Sequence, residues 1–149
     1  MKARRILVTG GAGFIGSAFV HHFMADPSVE RVTVFDNFST GRWEHFKNLT
    51  VQPRLQIVRG EGRGYADVLG AMDQKHDLVI HLAANSDIAS AVDDSSRDFY
   101  DGTLLTHMVL AAMRAVGPQR ILFASSGGAY GDGGETVLTQ ADMPLVMPG

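Results

Sequence analysis

The sequence predicts a doubly wound α/β domain: a parallel sheet in the order 3-2-1-4-5 with helices on both faces. Three observations predict it. An apolar run, Ile6-Leu7-Val8, leads into the glycine-rich stretch Thr9-Gly10-Gly11-Ala12-Gly13-Phe14-Ile15-Gly16-Ser17. About twenty residues past the last of these glycines, Asp36 closes a second apolar run, Val32-Thr33-Val34-Phe35. From there, strand-like and helix-like patterns alternate as far as residue 124, the arrangement that builds parallel sheets through right-handed crossovers.

Taken in order, the first strand enters the glycines, and Ile15, Ala18, Phe19, Val20 and Phe23 leave them at roughly helical spacing. Asp26-Pro27-Ser28 breaks that helix, and residues 31–35 form the second strand. A loop with a short helix around residues 43–49 follows. Pro53 precedes a third strand at 55–58, and residues 66–72 form a short helix. Residues 77–82 are apolar on both faces, as a central parallel strand should be. Over residues 99–115, Leu104, Leu105, Met108, Val109 and Ala112 fall on one helical stripe, which Gly117-Pro118 ends before a fifth strand at 120–124. Residues 127–149 read as an extended, glycine- and proline-rich loop, so residues 1–149 are taken as one domain.

A glycine-rich turn between strand and helix is suited to a dinucleotide's phosphates. Gly10 permits the tight turn, Gly13 lets the backbone approach a pyrophosphate, and Gly16 permits close packing of the helix on the sheet. The helix's unpaired N–H groups and positive dipole end then face the phosphate charge. Asp36 is placed to accept both ribose hydroxyls of an adenosine and to repel a 2′-phosphate, favouring NAD over NADP. Two alternatives stay open: Asp36 as a cap for the turn Asn37-Phe38-Ser39-Thr40-Gly41, and Arg42 as a partner for a 2′-phosphate. Ligands of such sheets lie at the carboxyl ends of the strands, where the strand order reverses.

Composition narrows the class further. At 149 residues, 45% hydrophobic and 19% charged, the chain has enough apolar material for one core and is not of a disordered type. A formal net charge of −3 without a basic cluster argues against nucleic acid and for a small-molecule partner. The absence of cysteine excludes disulfide and thiolate chemistry and fits a cytoplasmic protein. Met1-Lys2-Ala3-Arg4-Arg5 is a polar lead-in to the first strand, since glycines interrupt the apolar segment behind it at once. No apolar run reaches the roughly 20 residues needed to span a bilayer. No metal site is expected: adjacent His21 and His22 point about 100° apart on a helix. Asp93, Asp94 and Asp98 read as a capping loop, and His81 as a strand-end histidine beside the cleft.

These motifs resemble the extended short-chain dehydrogenase/reductases, specifically the NAD-dependent epimerase/dehydratase group acting on nucleotide sugars. The resemblance rests on residues 9–17, on Asp36-Asn37-Phe38-Ser39-Thr40-Gly41, on His81-Leu82-Ala83-Ala84, and on Phe123-Ala124-Ser125-Ser126-Gly127-Gly128-Ala129-Tyr130-Gly131. It implies a Rossmann-like fold with Phe14 and Ile15 beside the pyrophosphate. It also implies Asp36, with Asn37, at the adenosine ribose, and Leu82, Ala83 and Ala84 lining the cofactor cleft. Ser126 would hydrogen-bond the reacting hydroxyl or keto oxygen. A homodimer built on the helix at 99–115 is a further implication.

Departures from the pattern sharpen the expectation. Where the family usually carries an aspartate at the adenine, an apolar residue and a second acid, this chain has Gly60-Glu61-Gly62-Arg63-Gly64, so Glu61 and Gly62 are the candidates there. Asp101 replaces a usual asparagine, and Gly102 weakens the helix start by about 1 kcal/mol relative to alanine. Dehydratases of the group place an aspartate and a glutamate after the catalytic hydroxyl residue; Gly127-Gly128 stands here, which disfavours dehydration. The family's catalytic tyrosine is followed four residues later by a lysine. Tyr65, Tyr100 and Tyr130 are followed at that spacing by Leu69, Leu104 and Gly134. The chain is therefore expected to be the cofactor-binding part of a nucleotide-sugar epimerase, truncated before the substrate-binding part and inactive alone. A related sugar or carbonyl reductase and a non-catalytic dinucleotide-binding module are the alternatives.

Overall fold

The computed structural model describes residues 3–49, 51–73, 75–87, 93–94, 96–117 and 120–126. Five parallel strands form one sheet, β3-β2-β1-β4-β5. They are β1 Arg5–Thr9, β2 Arg31–Asp36, β3 Leu55–Arg59, β4 Leu78–His81 and β5 Ile121–Phe123. The order is the predicted one, and it reverses between β1 and β4.

The central position of β1 follows from its composition. Val8 pairs with Val34 on one side and Ile80 on the other, and Ile6, Leu7 and Val8 are fully buried. Successive side chains point to opposite faces, so Ile6 and Val8 join one core while Leu7 joins the other. The first core takes Val20 and Met24 from α1, Phe14–Ala25, together with Phe46 from a 3₁₀ turn, Trp43–Phe46. The second takes Val68 from α2, Tyr65–Ala71, and Leu105, Val109 and Ala112 from α3, Leu105–Val116. The stripe predicted for α3 is thus its core face. On α1 the buried positions are Gly16, Ser17, Val20 and Met24, while Ile15 and Ala18 face out.

Polar groups fix the connections. The Arg54 guanidinium donates to the carbonyls of Met24 (2.8 Å), Asp26 (3.1 Å) and Val29 (2.7 Å), tying the end of α1 and its turn to the start of β3. It thereby satisfies the Met24 carbonyl, one of those that a helix end leaves unpaired. Gly117, at φ +112°, closes α3 with its N–H on the Met113 carbonyl (2.8 Å), the predicted stop. The predicted start of this helix differs: Ser96–Asp98 forms one helical turn and Phe99–Leu104 is π-helical before α3 begins. Gly102 lies inside that segment, where a weak α-former makes departure from α-geometry less costly. The extended loop expected over residues 127–149 lies outside the described residues.

Candidate dinucleotide-binding cleft

β1 ends at Thr9 and the backbone turns at Gly10, whose φ of +67° suits glycine. Its N–H donates to the Phe35 carbonyl (2.8 Å), fixing the turn to the end of β2. A Cβ on Gly10 would stand 2.7 Å from the backbone nitrogen of Ala83, so the segment Leu82-Ala83-Ala84 packs directly on the turn. A Cβ on Gly16 would lie 2.2 Å from the Gly10 carbonyl oxygen. The contact that requires Gly16 is therefore with the turn's own backbone rather than with the sheet. Around Gly13 only that same oxygen comes close, at 3.3 Å. α1 begins at Phe14 without a side-chain cap, and Phe14 and Ile15 in its first turn are 89% and 60% exposed. An open backbone face before an uncapped helix start fits a pyrophosphate.

Asp36, almost fully buried at the end of β2, braces this turn. Its Oδ2 accepts from the Ala12 N–H (2.9 Å) and its Oδ1 from the Phe38 N–H (2.8 Å). The cap alternative read from the sequence is thus present, and each oxygen keeps a further lone pair for a ligand hydroxyl. Beyond Asp36 the loop returns over the cradle, with the Arg42 N–H donating to the Ala12 carbonyl (3.1 Å) while the Arg42 side chain stays exposed. Asn37 donates from Nδ2 to Glu61 Oε2 (3.1 Å). Gly62 is buried at φ +70°, where a Cβ would meet Leu105 Cδ1, and its N–H donates to Asp67 Oδ2 (2.8 Å), leaving its carbonyl as the group for a ligand.

Two cavities lie at the carboxyl ends of the strands, on either side of β1 in the sheet order. One, about 560 Å³, lies at the β2 and β3 ends and is lined by Asn37, Glu61, Arg63, Tyr100 and Asp101 among others. The other, about 360 Å³, lies at the β4 and β5 ends and includes His81, Leu82, Ala83, Ala84, Thr106 and Ala124. Ser126 follows two residues after Ala124 and is exposed. Its neighbours from Gly127 to Gly131 lie outside the described residues.

Sequence reasoning placed His81 beside the cleft but missed its partners. Its Nδ1 lies 2.6 Å from the Thr9 hydroxyl and its Nε2 3.0 Å from that of Thr106. The imidazole therefore joins the ends of β1 and β4 to the first turn of α3. Burial pushes its pKa down to about 4, so the ring is neutral near pH 7. Paired threonine and histidine at the ends of adjacent strands, Thr9 against His81 in register, were the available signal. Among the described residues no group of three or more His, Cys, Asp or Glu side chains could hold a metal. Among them, too, no helix is long and apolar enough to cross a membrane.

Strand order, switch point and glycine turn together define a Rossmann-like fold. The chain belongs to the NAD dependent epimerase/dehydratase family, whose model matches residues 6–147. It is 32% identical over 142 residues to the UDP-glucose 4-epimerase of Mycolicibacterium smegmatis, covering 95% of this chain and 44% of that protein. To the dTDP-glucose 4,6-dehydratase of Mycobacterium tuberculosis it is 33% identical over 129 residues, 86% of this chain and 38% of the relative. The Streptomyces venezuelae dTDP-glucose 4,6-dehydratase DesIV, solved with NAD and TYD bound, superimposes with a TM-score of 0.84 at 29% identity, over 95% of this chain and 45% of that one. The chain thus spans less than half the length of these relatives, among which are both epimerases and dehydratases.

Proposed function

We propose that this chain is the NAD-binding part of a nucleotide-sugar epimerase. The observation that carries the proposal is the convergence at the carboxyl ends of the strands. β1, which leads into Gly10–Gly16, lies between β2, whose end carries a polar cavity beside Asn37 and Glu61, and β4, whose end carries a second cavity lined by Leu82, Ala83 and Ala84. In this reading the glycine turn and the start of α1 hold the pyrophosphate, with Phe14 and Ile15 covering it. Asp36 and Asn37 take the adenosine ribose, Glu61 and the Gly62 carbonyl take the adenine, and residues 82–84 line the nicotinamide end. The carboxylate of Asp36 disfavours a 2′-phosphate, and hence NADP.

Bound NAD would supply an acceptor and donor of hydride. Ser126 would hydrogen-bond the sugar oxygen at the reacting carbon, fixing its distance from the cleft. The proton on that oxygen has to be moved by a base, and no tyrosine of this chain is followed four residues later by lysine. The chain alone is therefore expected to bind the cofactor without turnover. Gly127-Gly128 supplies neither the acid nor the base that elimination of water requires, which favours epimerisation over dehydration. A homodimer through the helix containing α3 and a cytoplasmic location belong to the same proposal.

A second reading is a dinucleotide-binding module without chemistry. Fusing this chain to the remaining carboxyl segment of the Mycolicibacterium relative separates the two. Interconversion of UDP-glucose and UDP-galactose by the fusion, weakened by Ser126→Ala on the order of 100-fold, is the expected outcome. Tight NAD binding without turnover would favour the module.

A further inference from the structure

The stretch Gly60-Glu61-Gly62-Arg63-Gly64 alternates glycine with charge. Its backbone is anchored from within the fold. The Gly60 N–H donates to the Asp36 carbonyl (3.1 Å), the Gly62 N–H donates to Asp67 Oδ2 (2.8 Å), and Leu105 fills the space a side chain at Gly62 would need. The loop therefore offers only two side chains, and each is tied to a different wall. Glu61 accepts from Asn37 on the β2 side. Arg63 reaches the π-helical segment, donating from Nη2 (3.0 Å) and Nε (3.3 Å) to Asp101 Oδ1, with its guanidinium 5.4 Å from the Tyr100 ring centre.

Asn37, Glu61, Arg63, Tyr100 and Asp101 all line the cavity of about 560 Å³ at the ends of β2 and β3. The Arg63 and Asp101 side chains are 51% and 30% exposed, and an ion pair so exposed contributes little to folding. What it does is tie together two residues that both line this cavity. The bridge links two segments 38 residues apart in sequence, and the π-turn that carries Tyr100 and Asp101 is a device found frequently at functional sites.

Resting on the reading that this cavity takes the adenosine end of NAD, we infer that Arg63 and Asp101 are a positioning pair. They close this cavity opposite the Asn37–Glu61 contact and hold the purine in place. The pair acts at the adenosine end only, so any ligand carrying that end should report it equally.

The test is titration of NAD and of ADP-ribose into the unaltered chain, Arg63→Ala, Asp101→Ala and the reversed pair Arg63→Asp/Asp101→Arg. Each single substitution is expected to weaken both ligands by the same factor, about tenfold, and the reversed pair to regain most of that loss. Urea midpoints should move little, which a merely structural bridge would not predict alongside lost affinity. Unchanged binding in the single variants, a loss confined to NAD, or no recovery in the reversed pair would overturn the inference while leaving the cofactor reading intact. Failure of the unaltered chain to bind either ligand would overturn both.

Discussion

Gly16→Ala is expected to destabilise the chain by about 3 kcal/mol and to weaken NAD binding on the order of 100-fold. The methyl group would lie 2.2 Å from the Gly10 carbonyl oxygen and 2.7 Å from Gly11 Cα, against backbone that has no rotamer to yield. Relief requires the start of α1 to withdraw from the turn by about an ångström. That movement would strain the Ser17 N–H bond to the Gly13 carbonyl (2.9 Å) and dislodge the helix N–H groups from the phosphate position. Gly70→Ala is the control. Gly70 is exposed near the end of α2 with nothing within 4 Å of a new Cβ, so alanine there should add up to about 1 kcal/mol and leave NAD affinity unchanged. Urea unfolding and calorimetric titration of both variants check the pair; equal behaviour at the two positions would contradict the packing described for Gly16.

Acidification from pH 7 to pH 4 is expected to cost the fold about 3 kcal/mol through His81. In the unfolded chain a histidine titrates near its ordinary value of 6.5, whereas burial holds folded His81 at about 4. Between those values the unfolded state binds a proton that the native state refuses, so stability falls as pH drops through that window. It is unaffected by this group above the window and falls no further below it. His76, 4% exposed and also lowered by burial, pulls in the same direction. Glu30 and Asp94, held below their usual carboxylate range chiefly by hydrogen bonds from Arg5 and Ser96, lose their contributions only at lower pH. Urea midpoints across pH 7.5 to 4 measure the slope. His81→Gln, which keeps polar atoms for the Thr9 and Thr106 hydroxyls but takes no charge, should flatten it; a slope unchanged by that substitution would place the titration elsewhere.

Much of the fold was legible because the strands report their own burial. Ile6-Leu7-Val8 and Leu78-Val79-Ile80 are short continuous apolar runs, the pattern of central parallel strands with helices on both faces. The glycine spacing and Asp36 were readable for a different reason: both answer to steric and charge demands that local sequence carries. What escaped was set by contacts between segments far apart. The sequence around Gly16 does not say that its neighbour is Gly10 rather than the sheet. Nor do Thr9, His81 and Thr106, or Arg63 and Asp101, advertise partners 25 to 72 residues away. The π-helical start at Phe99–Leu104 was signalled only as a weakness at Gly102, because glycine lowers helix propensity without specifying which alternative geometry replaces it.

The most direct measurement is calorimetric titration of this chain with NAD and with NADP, repeated on Asp36→Asn. Asparagine retains one acceptor for the backbone N–H groups of Ala12 and Phe38 but loses the carboxylate's charge and second acceptor oxygen. Saturable binding of NAD, weaker binding of NADP, and a loss of NAD affinity on the order of tenfold in Asp36→Asn are the expected results. Absence of binding to both dinucleotides by the unaltered chain would contradict the proposed cofactor site.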